Sequence, residues 1–191
     1  MRMLWDLDGT ICDTYISFVK VFRLLMKEYG VPMIYNDEEL HDLLKKSVSI
    51  AIMHAGLPKE SFQRFQTLES QVDPSEKPLF DGVMECLQKT DCNVLVTHKS
   101  KESTVAILNH YGIAHYFQEI ITSDDGFPRK PSTDAYAYLH QKYQLTHAIG
   151  DRDIDLIPAK KIGLKTISFQ NNNIECDLRI KSYDQIVTNM D

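Results

Sequence analysis

Short apolar runs alternate with longer amphipathic segments through most of the chain. The runs are rich in β-branched residues and predict strands, while the segments between them predict helices that end near Gly112 and Gly163. Strands that alternate with helices in this way are typical of a parallel sheet covered on both faces. The predicted strands cover residues 3–7, 93–97, 119–122, 147–149 and 165–169, and the predicted helices cover residues 82–90, 101–111, 133–142 and 155–162.

The segment from residue 15 to residue 78 departs from this alternation. Residues 16–29, 37–53 and 59–71 each have the pattern of an amphipathic helix, and no convincing strand separates them. Residues 73–78 are rich in proline and turn-forming residues, as expected of a linker. We therefore predict an α/β fold with a Rossmann-like parallel sheet flanked by helices over residues 1–14 and 79–191, and an inserted helical domain over residues 15–78.

The composition favours a globular protein that acts on small molecules. With 191 residues, 43% of them hydrophobic, the chain is long enough for one substantial core and a second small lobe. The net charge of −6 argues against a nucleic-acid partner, because such partners require clustered Lys and Arg. The N-terminal segment MRMLWDLDGT lacks the apolar stretch of a signal peptide, and no window is apolar enough for a membrane helix. We therefore expect a cytoplasmic protein without a membrane role, and a monomer, because no heptad stripe stands out.

Asp6 and Asp8 lie at the end of the first predicted strand, in the segment DLDGT. In an extended chain both side chains would project to the same side, where their like charges would disfavour joint ionisation. A divalent cation would resolve this conflict, and carboxylate oxygens are the ligands that Mg²⁺ prefers. Asp-Gly is also a common turn sequence, so solvated acids in a turn are the alternative interpretation.

A second acidic cluster, Asp151, Asp153 and Asp155, follows another predicted strand and opens a helix. In an open parallel sheet, ligand sites form outside the carboxyl ends of the strands, so both acidic clusters can converge on one crevice. Two such clusters favour a site for a hard cation. The alternative is that the acids complement a helix N-terminus, which fits Asp153 or Asp155 but not the whole set.

Thr97 and Lys130 complete a candidate anion site. Thr97 ends the second core strand, where a hydroxyl and backbone N–H groups can hold phosphate oxygens. Lys130, which precedes a proline, supplies a compact positive charge. Each residue is weak evidence alone, since such threonines are usually structural and such lysines usually face solvent.

Four motifs occur in a fixed order along the chain: DxDGT, a threonine after the second core strand, a lysine before proline, and GDxxxD. This order resembles that of the haloacid dehalogenase-like hydrolases. The similarity is to the phosphoglycolate phosphatase-like branch, which carries a helical cap after the first motif. It spans nearly the whole chain, from Met3 to Gly163. The resemblance implies a Mg²⁺-dependent phosphatase that acts on a small phosphorylated metabolite.

Roles for individual residues also follow from this resemblance. It implies that Asp6 is a nucleophile that forms an aspartyl-phosphate, and that Asp8 protonates the leaving oxygen and then activates water. Thr97 would bind the phosphoryl group, and Lys130 would bridge the nucleophile and the phosphate. The implied Mg²⁺ ligands are Asp6, the backbone carbonyl of Asp8, and Asp151. Asp155 would either bind the ion directly or hold its ligands in place.

Two residues depart from the family pattern. His98 follows Thr97 where many relatives carry Asn, and its backbone N–H can still bind phosphate. We expect its side chain to have no role of its own, because a lone histidine needs a positioned partner to act as a catalyst. Arg152 stands where a small polar residue is common, so it either contacts an acidic substrate or lies at the rim of the site.

Two other functions are compatible with the same motifs. A phosphoglucomutase-like phosphoryl transferase would use the same two acids, and a catalytically idle binding protein would keep the fold. A phospho-aspartate receiver module is disfavoured, because its phosphorylated acid resembles a lone aspartate on a middle strand and its chain would lack the helical insertion. The sequence does not identify the substrate.

Overall fold

A computed structural model of the protein describes residues 1–187 of the chain. The protein divides into two compact units. One comprises Met1–Cys12 and the described part of Leu79–Asp191, and the other comprises Asp13–Pro78. The predicted boundaries after residues 14 and 78 lie at or near these limits, and residues 188–191 of the predicted α/β domain lie outside the described part. That the two units act as a core and a cap stays a prediction.

Strands and helices alternate in the first unit, whereas the second unit is helical. In chain order the elements are β1 (Arg2–Trp5), α1 (Tyr15–Glu28), α2 (Asp37–Lys46), α3 (Val48–His54), α4 (Ser61–Ser70), α5 (Val83–Lys89), β2 (Cys92–Val96), α6 (Lys101–His110), β3 (Phe117–Ile121), α7 (Asp134–Tyr143), β4 (His147–Gly150), α8 (Asp153–Lys161), β5 (Lys165–Phe169), β6 (Leu178–Ile180) and α9 (Asp184–Val187). Short 3₁₀ turns cover Pro74–Glu76 and Ala114–Tyr116.

The sheet of the first unit has the strand order β3-β2-β1-β4-β5-β6, and every neighbouring pair is parallel. Strand β1 lies inside the sheet, where Trp5 is in register with Leu95 of β2 and Ile149 of β4. Both faces are covered, because alternate strand residues enter separate apolar clusters. Helices α5, α6 and α9 contribute to the cluster that contains Trp5, and α7 and α8 to the one that contains Leu4. The predicted Rossmann-like α/β fold is therefore confirmed.

The predicted ends of two helices are confirmed at glycine. Helices α6 and α8 are followed by Gly112 at φ 66° and Gly163 at φ 84°, the left-handed region that glycine adopts without steric cost. The short strand β6 and helix α9 were not predicted from the sequence. Strand β6 has only three residues, two of which are exposed, so its apolar pattern is too weak to distinguish it from a loop.

The second unit contains four helices around its own apolar cluster, to which residues such as Phe22, Leu25, Leu40 and Phe65 contribute. The prediction of one continuous helix over residues 37–53 is wrong. Ser47 adopts an extended backbone, at φ −177° and ψ 148°, and separates α2 from α3. Its hydroxyl accepts a hydrogen bond from the N–H of Ile50, so Ser47 caps the N-terminus of α3, a role for which serine is well suited.

In residues 1–187, none of the helices combines the length and the apolar character that crossing a membrane requires.

Candidate active site

Three of the predicted site residues lie at one edge of the sheet. Asp6 directly follows β1, Thr97 directly follows β2, and Asp151 directly follows β4. Because these strands are neighbours and parallel, their carboxyl ends bring the three residues to the same edge. All three are buried, with Asp6 and Thr97 each 2% exposed and Asp151 fully covered. The first unit therefore holds a polar cluster where open parallel sheets bind their ligands.

Lys130 joins two of the buried carboxylates. Its Nζ atom lies 2.6 Å from Oδ1 of Asp6 and 2.6 Å from Oδ1 of Asp155. The three side chains are at most 2% exposed, so these ion pairs are shielded from water. A buried ion pair requires good geometry and further hydrogen bonds to offset the loss of hydration. Asp155 meets that need, because its Oδ2 atom also accepts a hydrogen bond from the N–H of Arg152.

The electrostatics of the two carboxylates differ. Burial, followed by repulsion from Asp155, raises the pKa of Asp6 to about 6, although Lys130 and Arg152 act in the opposite direction. Burial also disfavours the charge on Asp155, but Lys130 and Arg152 outweigh it and lower the pKa of that carboxyl. Burial likewise opposes the charge on Lys130, yet Asp155 and Asp6 raise the pKa of its ammonium group. Asp6 is thus the carboxyl that takes up a proton first as the pH falls.

The residues present fit a hard divalent cation. Asp6, Asp151 and Asp155 are all buried, and each offers a carboxylate oxygen that lies within 4.8 Å of those of the others. Oxygen donors of this kind suit Mg²⁺. Gly150 makes the arrangement possible, because an added Cβ atom there would overlap with the side chain of Asp155. The backbone carbonyl of Asp151 accepts a hydrogen bond of 2.8 Å from Nδ2 of Asn171, which holds this segment in place.

Asp8 is not one of these three carboxylates, and it contacts a lysine that sequence reasoning missed. Its Oδ1 atom is 2.8 Å from Nζ of Lys99, and the two side chains are 13% and 6% exposed respectively. The backbone N–H of Lys99 donates a hydrogen bond of 3.2 Å to Oγ1 of Thr97. A signal for Lys99 did exist, since it comes two residues after Thr97 in the loop beyond β2. The metal contact assigned to the backbone carbonyl of Asp8 stays a prediction.

The side chain of His98 has a structural role, so the expectation that it would have none is wrong. Its Nε2 atom accepts a hydrogen bond of 2.9 Å from the backbone N–H of Lys130. Burial and the nearby charge of Lys130 lower the pKa of His98 to about 3, so the ring stays neutral and can accept this bond. The loop that follows β2 is thereby tied to the segment that carries Lys130.

Arg152 lies against the acidic cluster instead of projecting away from it. Its Nε atom is 3.9 Å from Oδ1 of Asp151 and 3.9 Å from Oδ2 of Asp155, and its side chain is 18% exposed. The sequence left open whether Arg152 contacts a substrate or lies at the rim. The structure places it beside two predicted metal ligands, while part of the side chain still reaches solvent.

The sequence also matches a known protein family over most of its length. The sequence profile of the haloacid dehalogenase-like hydrolases matches residues 3–169. The chain belongs to this family. The resemblance inferred from the four motifs is therefore confirmed, and so is the expectation that the chain is an enzyme of the hydrolase class.

Individual relatives of this haloacid dehalogenase-like chain agree with the assignment. A phosphoglycolate phosphatase of Vibrio parahaemolyticus is 25% identical over 181 residues, which cover 83% of this chain and 78% of the relative. A solved hydrolase from Streptococcus pneumoniae TIGR4 is 31% identical, with a TM-score of 0.66 and coverage of 90% of this chain and 93% of the other. A haloacid dehalogenase-like protein from Streptococcus pneumoniae superposes with a TM-score of 0.83 at 20% identity, covering 100% of this chain and 98% of that chain, which supports the fold alone.

Proposed function

We propose that this protein is a Mg²⁺-dependent phosphatase that hydrolyses a small phosphomonoester through an aspartyl-phosphate on Asp6. The observation that carries the proposal is the buried contact of Asp6 with Lys130 inside a cluster of three carboxylates. Such a cluster is costly to bury and is expected where a cation and an anionic substrate are to be held together.

The chemistry divides one hydrolysis into two displacements. A carboxylate oxygen of Asp6 attacks phosphorus, the ester P–O bond breaks, and Asp8 donates a proton to the departing oxygen. Asp8, now ionised, takes a proton from water as the water oxygen attacks the same phosphorus. The bond between phosphorus and Asp6 then breaks, which releases inorganic phosphate and restores both carboxyl groups to their starting states.

The remaining residues stabilise and position the reacting groups. Lys130 lies 2.6 Å from Asp6, so its ammonium group would also neutralise charge on a phosphoryl group bound to that carboxylate. The Thr97 hydroxyl and the backbone N–H of His98 would hold phosphoryl oxygens. Asp6, Asp151 and the backbone carbonyl of Asp8 would hold Mg²⁺, with Asp155 supporting the ion. The bound ion would supply positive charge against the oxygens of the phosphoryl group.

The first substrate to test is phosphoglycolate. The support for this choice is the similarity to phosphoglycolate phosphatases, which extends over more than four fifths of the chain. A phosphoglucomutase-like transferase would use the same two acids, and it would be recognised by dependence on a bisphosphate activator and by little release of phosphate. We also propose that the protein acts as a monomer.

The test is Mg²⁺-dependent release of phosphate from phosphoglycolate and a panel of small phosphomonoesters. Asp6→Asn should lower the rate by at least about 10⁴-fold, since covalent catalysis is lost. Asp153→Asn is the matched control, because Asp153 is exposed in the same acidic segment and lies outside the carboxylate cluster. Retained activity in Asp6→Asn, or activity that persists in a chelator, would refute the mechanism.

A further inference from the structure

A small pocket opens beside the proposed phosphoryl-binding residues. It lies within the first unit, between the ends of β2 and β3 and the segment that precedes α7. Thr97, His98 and Lys130 line it, together with Arg129 and Tyr136. Among the described residues none of those lining it is acidic, so the pocket is unsuited to a cation. Arg129 and the hydroxyl of Tyr136 have no part in the mechanism proposed above.

The hydroxyl of Tyr136 is buried without a partner. The residue is fully covered, and its oxygen makes no hydrogen bond with any group in residues 1–187. A buried tyrosine hydroxyl usually has a hydrogen-bond partner, because otherwise it loses its hydrogen bonds to water without replacing them. Burial raises the pKa of this phenol, so it stays protonated and available as a donor. An acceptor supplied by a ligand would satisfy it.

Arg129 presents an unpaired positive charge to the same pocket. Its guanidinium makes no hydrogen bond or ion pair with the residues that the structure describes. Arg129 is an exposed residue, yet the burial of part of its side chain, followed by repulsion from Arg152, lowers the pKa of its guanidinium. His98, which also lines the pocket, is neutral and offers no compensation. An anion in the pocket would offset the repulsion.

A carboxylate is the anion that suits these donors best. The planar guanidinium of an arginine matches the two oxygens of a carboxylate, and a phenol hydroxyl can donate a further hydrogen bond. Thr97 and Lys130 line the pocket and also belong to the proposed phosphoryl site. A ligand with two anionic groups can therefore place one group in the phosphoryl site and the other in the pocket, beside Arg129 and Tyr136.

We propose that Arg129 and Tyr136 bind the carboxylate of a phosphorylated carboxylic acid whose phosphoryl group lies at Thr97 and Lys130. This inference rests on the proposed function and narrows its substrate class. It assigns recognition of the carboxylate to the α/β unit itself.

The experiment compares phosphoglycolate with ethyl phosphate, which has a methyl group in place of the carboxylate. We expect the ratio of their kcat/KM values to fall by about 10-fold in Tyr136→Phe and by about 100-fold in Arg129→Met, as for lost hydrogen bonds to a charged group. Lys165→Met is the control, because this exposed lysine lies at the opposite edge of the sheet. An equal loss on both substrates, or an unchanged ratio, would overturn the proposal.

Binding to Asp6→Asn, measured by calorimetry, separates this inference from the proposed function. Phosphoglycolate should bind at least about 10-fold more tightly than ethyl phosphate, and adding Tyr136→Phe or Arg129→Met should remove the difference. If the wild-type protein hydrolyses neither compound but this preference is found, the carboxylate site stands and the phosphatase assignment fails. Equal binding of the two compounds overturns the carboxylate site even if hydrolysis occurs.

Discussion

Two lysine–aspartate contacts lie at the same edge of the sheet, and they differ in burial. Lys130 contacts Asp6 and Asp155, and all three side chains are at most 2% exposed. Lys99 contacts Asp8, and these side chains are 6% and 13% exposed. The first contact therefore excludes water almost completely, whereas the second retains access to solvent.

This difference matches the two chemical tasks that we assign to the carboxylates. A nucleophile and metal ligand must keep a fixed position and a negative charge, and buried ion pairs impose a fixed geometry. A general acid and base must exchange a proton with water once in each cycle, so partial exposure suits Asp8. The same two residue types are thus placed in surroundings that favour different roles.

Of the changes that test this comparison of the two contacts, Lys130→Met should have the largest effect, because it breaks the more deeply buried contact. Activity should fall by roughly 10²–10³-fold or more, because the charge that stabilises the transferred phosphoryl group is lost. The metal-free variant should also lose roughly 3–5 kcal/mol of folding free energy, since two buried carboxylates are left without their lysine. Calorimetric unfolding in chelator and in Mg²⁺ measures this loss, and Mg²⁺ should restore part of it.

Lys165→Met removes one exposed lysine elsewhere and serves as the control for both measurements. If Lys130→Met unfolded at the same temperature as this control in chelator, the buried contact would not carry the stability we assign to it.

A smaller effect is expected from Lys99→Met, which alters the partly exposed contact. Lys99 acts as a positioning residue for Asp8, so kcat should fall by about 10-fold for an alkyl phosphate, as expected when a catalytic group is held less well. The loss should be smaller for p-nitrophenyl phosphate, whose leaving group needs little protonation. Lys99→Arg should restore part of the rate, because it keeps the positive charge.

A purely structural role for Lys99 would lower the rates of both substrates by the same factor. The ratio of the two kcat values is therefore the decisive measurement for this contact.

The smallest effect is a pH dependence of stabilisation by the metal. In the metal-free protein the pKa of Asp6 is raised from 3.8 to about 6, so the folded state holds this proton more tightly than the unfolded state. Asp6 therefore stabilises the fold when it is protonated, and this contribution is lost as the pH rises from 3.8 to about 6 and is absent at higher pH. Mg²⁺ should raise the melting temperature more at a pH of about 7.5 than at about 5, where it competes with the proton. Equal increases at both pH values would contradict this account of Asp6.

The sequence predicted the parts of the site that local pattern and strand direction define. Asp6, Thr97 and Asp151 each follow an apolar run, and parallel strands bring such positions to one edge. Lys130 was also proposed from the sequence, as the positive charge of a candidate anion site, whereas the roles of individual residues came from the family resemblance. The prediction worked because each motif is compact in sequence and its place in the sheet follows from strand order.

Contacts between distant side chains could not be predicted in this way. Lys99 and Asp8 are 91 residues apart, and the acceptor role of His98 depends on where the loop before α7 passes. The hydroxyl of Tyr136 has no signal at all, because its residue occupies an ordinary apolar position of a helix. The break at Ser47 was missed because the apolar periodicity of α2 continues into α3.

The position of β1 inside the sheet has a consequence for folding. Trp5 pairs with Leu95 on one side and with Ile149 on the other, so the nucleophile that follows β1 reaches its partners only after distant parts of the chain have met. Pairing over such separations is slow, because the entropy of closing large loops must be overcome before the contacts form. During synthesis, a nascent chain that has not yet exposed β4 and α8 contains Asp6 but no catalytic centre. Activity should therefore appear in the last stage of folding, and its recovery after dilution from denaturant would report that stage directly.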